Sequence, residues 1–312
     1  MNTHFSRIAL AAVLACTAFP SATQAAQAAQ DGTNRRERIA QVLQNQREHR
    51  AKVVSEESLG AFSRNLVELR HSGRELLVYV PTHLPPPGQR SMLVALHGGG
   101  GNARHMLQHL KMDGVAEREG FIVAYLNGSD ATKGKLNRMK AWNAGKGCCG
   151  KPHAENVDDI RVITNTVGFL QRKYGIDPAR TFGTGHSNGA MMTQTLMCLS
   201  DLYPRAVSIS GALMADSPTC PAAKGRTLFA YHGSEDQNVP LAGGYGTRGV
   251  TDIDFTSAEQ SRKLFEAFGG SYVQLVFTGA DHRLDHLDEA SRRLDGLSLA
   301  ERIARDLGLG KP

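Results

Sequence analysis

The sequence predicts an α/β fold: a mostly parallel central sheet flanked by helices, in one domain over residues 61–312. Three observations predict it. Short β-rich runs alternate with helical stretches, no internal repeat or second composition boundary interrupts them, and a Gly-x-Ser-x-Gly turn stands between a strand and a helix. The 312 residues are 41% hydrophobic and 21% charged, which supports a large core and excludes disordered, collagen-like and membrane-spanning chains.

The chain opens on a targeting pattern. Arg7 precedes an apolar run from Ile8 to Phe19, and Ser21 to Gln30 is small and polar, the layout of a secretory signal peptide over residues 1–28. The run is too short to cross a bilayer, which takes about 20 apolar residues. Cleavage after Ala25 or Ala28 fits. Leu14-Ala15-Cys16 loosely matches a lipoprotein box, so lipid anchoring at Cys16 is the competing route. The expected location is secreted or periplasmic. Residues 29–60, rich in Arg and Lys with only Ile39, Val42 and Leu43 on one face, read as a polar helix or tether.

Strands are predicted at Leu76–Val80, Met92–Leu96, Ile122–Leu126, Thr181–Gly183, Ala206–Ser210, Leu228–His232 and Tyr272–Phe277. Helices are predicted over Ala103–Glu119, Asp158–Tyr174, Ala190–Leu199, Ser257–Phe268 and Ser298–Leu307. Asp158 is the expected N-cap of the second helix, and Gly175 ends it. Charge adds little: 36 Lys plus Arg against 30 Asp plus Glu leave +6, spread along the chain, and aromatics are 6%. Nucleic acid is therefore not an expected partner. In an oxidising compartment Cys148, Cys149, Cys198 and Cys220 can pair; Cys198 with Cys220 is preferred, and the adjacent Cys148 and Cys149 can bond each other.

Gly185-His186-Ser187-Asn188-Gly189 follows one predicted strand and opens a helix. On such a sharp turn the serine is lifted above the sheet edge, and glycines on either side remove Cβ atoms that would collide with neighbouring chain. A serine hydroxyl needs a histidine to take its proton and a carboxylate to orient that histidine. Both follow downstream in that order. Asp236, with Glu235 as fallback, lies in the turn after Leu228–His232, and His282, with His286 as fallback, lies in the loop after Tyr272–Phe277. An oxyanion also needs preorganised donors, worth ~3 to 4 kcal/mol each in other hydrolases. His97-Gly98-Gly99-Gly100-Gly101 ends a strand with bare backbone, and the Gly99 and Asn188 amides are the expected donors. The glycine run lacks the Gly-Lys-Ser/Thr of a phosphate loop.

Five blocks together, LHGGGGNA, Trp142-Asn143-Ala144-Gly145 leading to Cys148-Cys149-Gly150, Val157-Asp158-Asp159, GHSNGAMM and HGSEDQNVP, resemble secreted polyhydroxybutyrate depolymerases and related feruloyl esterases. They span about Leu76 to Pro240 in the family's order. The resemblance implies an α/β-hydrolase fold, a Ser187, Asp236 and His282 triad, ester hydrolysis through an acyl-enzyme, and no cofactor. It also places Trp142 near the pocket as a substrate contact. One departure stands out: the family's histidine sits in a Gly-Gly-His followed by a Trp-Pro-Gly turn, whereas here Ala280-Asp281-His282 runs into Arg283-Leu284-Asp285.

Other residues have plainer expected roles. Asp158 and Asp159 suit helix capping better than paired acid chemistry, and His97 suits structuring the glycine loop. His105 with His109, and His282 with His286, are spaced four apart as in zinc hydrolases, but Met106 stands where that motif needs glutamate, so no metal is expected. The expected partner is an ester, polymeric or small; the sequence leaves the oligomeric state open. Hydroxyalkanoate esters rank first as substrates, then feruloyl or acetyl esters of plant polysaccharide. A non-catalytic binding module on the same fold is the competing reading from another class.

Overall fold

The computed structural model describes residues 65–131, 139–214, 219–249 and 252–310. All belong to one compact unit, Val53–Pro312. The expected signal peptide (1–28) and polar tether (29–60), with Cys16, lie outside the described residues.

The chain enters through a hairpin, β1 (Leu66–His71) and β2 (Arg74–Tyr79), that turns at Ser72-Gly73. β3 (Arg90–Leu96) and β4 (Ile122–Leu126) follow, then a short pair, β5 (Ser129–Asp130) and β6 (Lys140–Ala141). β7 (Ile176–His186), β8 (Arg205–Ile209) and β9 (Thr227–Gly233) come next. A second short pair, β10 (Gly244–Tyr245) and β11 (Asp254–Phe255), precedes β12 (Ser271–Phe277). The main sheet has the order β1-β2-β4-β3-β7-β8-β9-β12. From β4 to β12 every neighbouring pair is parallel; β2 alone runs the other way, pairing antiparallel with both β1 and β4.

A parallel sheet must be covered on both faces, so its strands read as near-continuous apolar runs. β3 and β4 fit that rule, with Met92 to Leu96 and Ile122 to Tyr125 fully buried. On one face Ile163, Val167 and Leu170 of helix Asp159–Tyr174 pack with Met192 and Leu196 of helix Asn188–Leu199. On the other, Met106 and Leu110 of helix Ala103–Leu110 join Leu287 of helix Leu284–Asp295 and Ile303 of helix Leu299–Leu307. Each such side chain, fully buried, contributes about 1.5–3 kcal/mol.

Local chemistry sets the helix ends. Asp158 accepts from the Arg161 amide as N-cap, and Ser257 and Ser298 close capping boxes with Gln260 and Glu301. The expected helix Ala103–Glu119 is two helices, Ala103–Leu110 and Asp113–Glu119, because Lys111 takes φ +54° between them. β1 and the helices Gly150–Ala154 and Leu284–Asp295 were not expected from the sequence. Cys198 is bonded to Cys220, tying the end of helix Asn188–Leu199 to the segment before β9, and Cys148 is bonded to Cys149.

Candidate active site

Four segments converge beyond the carboxyl ends of parallel strands, where open α/β sheets place their ligands: His97 to Gly101 after β3, Ser187 after β7, Asp236 after β9 and His282 after β12. Ser187 has φ +56° and ψ −122°, a conformation a serine holds only where the surroundings force it. Its amide donates to the Ile209 carbonyl at 2.9 Å, and its carbonyl accepts from Met191 at 3.0 Å to begin the helix. The flanking glycines are required by contact: a Cβ on Gly185 would lie 2.2 Å from the Gly189 oxygen, and one on Gly189 would lie 2.3 Å from the Leu96 oxygen.

Asp236 and His282, 46 residues apart, meet through Oδ2 and Nδ1 at 2.8 Å. The loops carrying them are stitched together by Glu235 N–H to the Ala280 carbonyl at 2.9 Å and Gly279 N–H to Ser234 Oγ at 2.9 Å. Asp236 is buried and collects further donors. Oδ1 accepts from the Asn238 and Val239 amides, each at 2.9 Å, and Oδ2 lies 3.2 Å from Nε2 of buried His232. Burial alone would raise this carboxyl. The bonds from His232, His282 and Val239, with the attraction of His282, outweigh it and hold the group far below the usual carboxylate range. The fallback residues lie elsewhere: Glu235 is exposed, and His286 pairs with Asp281 at 2.9 Å.

The glycine loop lies against the serine turn, since a Cβ on Gly99 would stand 3.6 Å from Asn188 Cβ. Gly100 N–H donates to the Lys140 carbonyl at 2.8 Å and Gly101 N–H to that of Gly98 at 3.0 Å. The Gly99 amide enters none of the loop's bonds among the described residues. Asn188 is the first residue of helix Asn188–Leu199, where amides lack intrahelical partners and the helix dipole is positive. His97 structures this loop. Burial pushes its imidazole down to about 3, so it is neutral; Nδ1–H donates to the Gly98 carbonyl at 2.8 Å while Nε2 accepts from Gly128 N–H at 2.9 Å.

Trp142 is expected from the sequence to touch substrate, and here the structure differs. Its side chain is fully buried, with Nε1–H donating to the His97 carbonyl at 2.9 Å. Its own amide and carbonyl pair with the Asn188 side chain at 2.8 and 3.0 Å. An indole with no exposed surface cannot stack on a ligand; it ties the glycine loop to the turn after Ser187 instead. Asp159, also buried, accepts from Asn143 N–H at 2.6 Å and pairs with Arg74 at 2.5 Å, so it anchors the Trp142 segment. The contacts of Asp159 and His232 were not legible in the sequence. For His232 a signal existed, its place in HGSEDQNVP, but nothing local to it reports a partner.

The sheet order, the strained serine turn after β7 and the aspartate and histidine after β9 and β12 define an α/β-hydrolase. A family profile described as phospholipase/carboxylesterase matches residues 85–269, and the chain belongs to that family. Among curated proteins, it is 25% identical over 171 residues to a bifunctional acetylxylan esterase/xylanase of Neocallimastix patriciarum, covering 53% of this chain and 22% of the relative. It is 26% identical over 145 residues to feruloyl esterase B of Neurospora crassa, covering 46% and 45%. The chain thus spans less than half the length of these relatives. Among solved structures, TT1662 from Thermus thermophilus superposes with a TM-score of 0.52 at 20% identity, over 73% of this chain and 95% of that one. An acetyl xylan esterase from Aspergillus awamori gives 0.50 at 18% identity, over 70% and 94%. These two likenesses concern the fold.

Proposed function

We propose that the protein is an exported serine carboxylesterase working through an acyl-enzyme. The observation that carries this reading is the Asp236–His282 pair, set beyond the same sheet edge as a serine held at positive φ. Ser187 Oγ attacks the ester carbonyl as His282 Nε2 takes its proton, and the carbonyl electrons move onto oxygen. The Gly99 and Asn188 amides receive that oxyanion. Collapse expels the alcohol, which takes the proton from His282, and leaves the acyl group on Ser187. Water, deprotonated by His282, then attacks the acyl carbonyl and frees the acid and the serine. Asp236 stays ionised throughout, holds Nδ1–H and stabilises the imidazolium.

For substrate, the names of the curated relatives support acetyl or feruloyl esters of plant polysaccharide. The five motif blocks favour a second reading, hydroxyalkanoate esters. Two disulfides among the described residues support folding in an oxidising compartment, in keeping with the signal pattern. No described helix is long and apolar enough to cross a membrane.

The test is product analysis by mass spectrometry after incubation with acetylated xylan, methyl ferulate and hydroxybutyrate oligomers, for wild type and Ser187→Ala. Wild type should release acetate or ferulate and label with a fluorophosphonate; the variant should do neither. Release of hydroxybutyrate alone would move the substrate to polyesters. Full activity in Ser187→Ala would overturn the serine mechanism.

A further inference from the structure

His186, the residue before the serine, takes no part in the chemistry above, yet it is the link between the nucleophile's turn and the base's loop. Its Nε2 lies 2.8 Å from the backbone carbonyl of His282, 96 residues away, and the two rings stand 4.8 Å apart. A carbonyl only accepts, so the proton sits on His186 Nε2. Loss of hydration, with the neighbouring His282, pushes the His186 imidazole down to about 3 against the opposing pull of that bond, so it is neutral at working pH and Nδ1 carries no proton.

The base needs this bond for a geometrical reason. His282 hangs on a loop between β12 and helix Leu284–Asp295, and β8 and β9 separate that loop from β7 in the sheet. Asp236 grips the imidazole through Nδ1, which orients the ring but does not hold the His282 carbonyl. Neighbouring bonds, Glu235 N–H to Ala280 and Arg283 N–H to Asp281 Oδ1 at 3.0 Å, hold the residues around His282. The bond to the His282 carbonyl itself comes from His186. The glycine loop leaves room for it: a Cβ on Gly98 would lie 3.3 Å from His186 Nδ1 and 3.3 Å from Ser187 Cβ.

We propose that His186 is a positioning residue for the base: by holding the His282 carbonyl from the position next to Ser187, it sets the distance between nucleophile and imidazole directly. The inference rests on the serine mechanism proposed above.

The test compares His186→Leu, which removes the donor, with His186→Gln, whose amide nitrogen reaches the place of Nε2, and His186→Asn, whose shorter amide reaches only the place of Nδ1. Each is assayed on p-nitrophenyl acetate, with circular dichroism to establish folding. His186→Leu and His186→Asn should lower kcat by about 10- to 100-fold, the cost of a misplaced catalytic group. KM should stay within about twofold, because His186 is not placed against substrate, and His186→Gln should recover most of kcat. A folded His186→Leu with unchanged kcat would overturn the proposal. If His186→Leu does not fold, equal rates for the Gln and Asn variants would overturn it. Failure of the serine mechanism itself is read separately, from Ser187→Ala retaining activity.

Discussion

Replacing Trp142 with phenylalanine separates a residue that braces the glycine loop from one that binds substrate. The substitution deletes the Nε1–H donor and leaves the His97 carbonyl without that bond in a buried site. An abandoned buried acceptor costs about 1–3 kcal/mol. The smaller ring also gives up part of a fully buried indole, about 1–2 kcal/mol more once the incomplete collapse of the space is included. The expected loss is therefore about 2–5 kcal/mol, measured by urea unfolding. Circular dichroism must follow the transition, because Trp142 is the only tryptophan and its fluorescence disappears with it. The His97 carbonyl heads the segment bearing the Gly99 amide, so kcat should fall about tenfold while KM hardly moves. A variant with stability within about 0.5 kcal/mol of wild type, unchanged kcat and raised KM would refute the reasoning and return the indole to the substrate pocket.

Two further outcomes follow from the interior. Stability should fall on acidification below about pH 6.5. The imidazoles of His97 and His186 are held down to about 3, so unfolding takes up two protons there, while Asp113, pushed up to about 6 by burial, releases one, and Asp159, also raised by burial, releases a further fraction. Net uptake of up to one proton lowers stability by up to about 1.4 kcal/mol per pH unit, and below about pH 4 the depressed Asp236 adds to the loss. Urea midpoints at pH 7, 6 and 5 that stay level or rise would contradict this. Removing the Cys198–Cys220 bond by serine at both positions frees a loop of sequence separation 22 and should cost about 3 kcal/mol by loop entropy. A thermal melt shifted by less than a degree would mean the unfolded chain is already constrained there.

What the sequence disclosed of the site was the part encoded within a few residues. Ser187 was legible because a serine at positive φ needs Gly185 and Gly189 beside it, and that requirement is written into five consecutive positions. Asp236 and His282 were legible from chain order and from the strand ends that precede them. The helix start at Asp158 followed from its cap, and the helices expected from Ser257 and Ser298 begin at capping boxes in the structure; caps are local bonds. The break at Lys111 was not legible, because a lysine at positive φ carries no signal of the kind a glycine does. Helix Leu284–Asp295 was hidden by its polar face; only Leu284, Leu287 and Ala290 mark the buried side.

By itself, then, the sequence determined the α/β class, the strained serine turn and the residue types able to activate it, since backbone strain, capping and apolar runs act over short stretches of chain. Only the tertiary structure decided that Trp142 is sealed behind the glycine loop, that His232 stands beside the Asp236 carboxylate that pairs with His282, and that His186 reaches the His282 carbonyl. The physical reason lies in the sheet. Contacts spanning 45 residues, as from Trp142 to His97, or 96, as from His186 to His282, depend on which strands lie side by side and on where their carboxyl ends converge. That proximity comes from the strand order and has no counterpart in the spacing of residues along the chain.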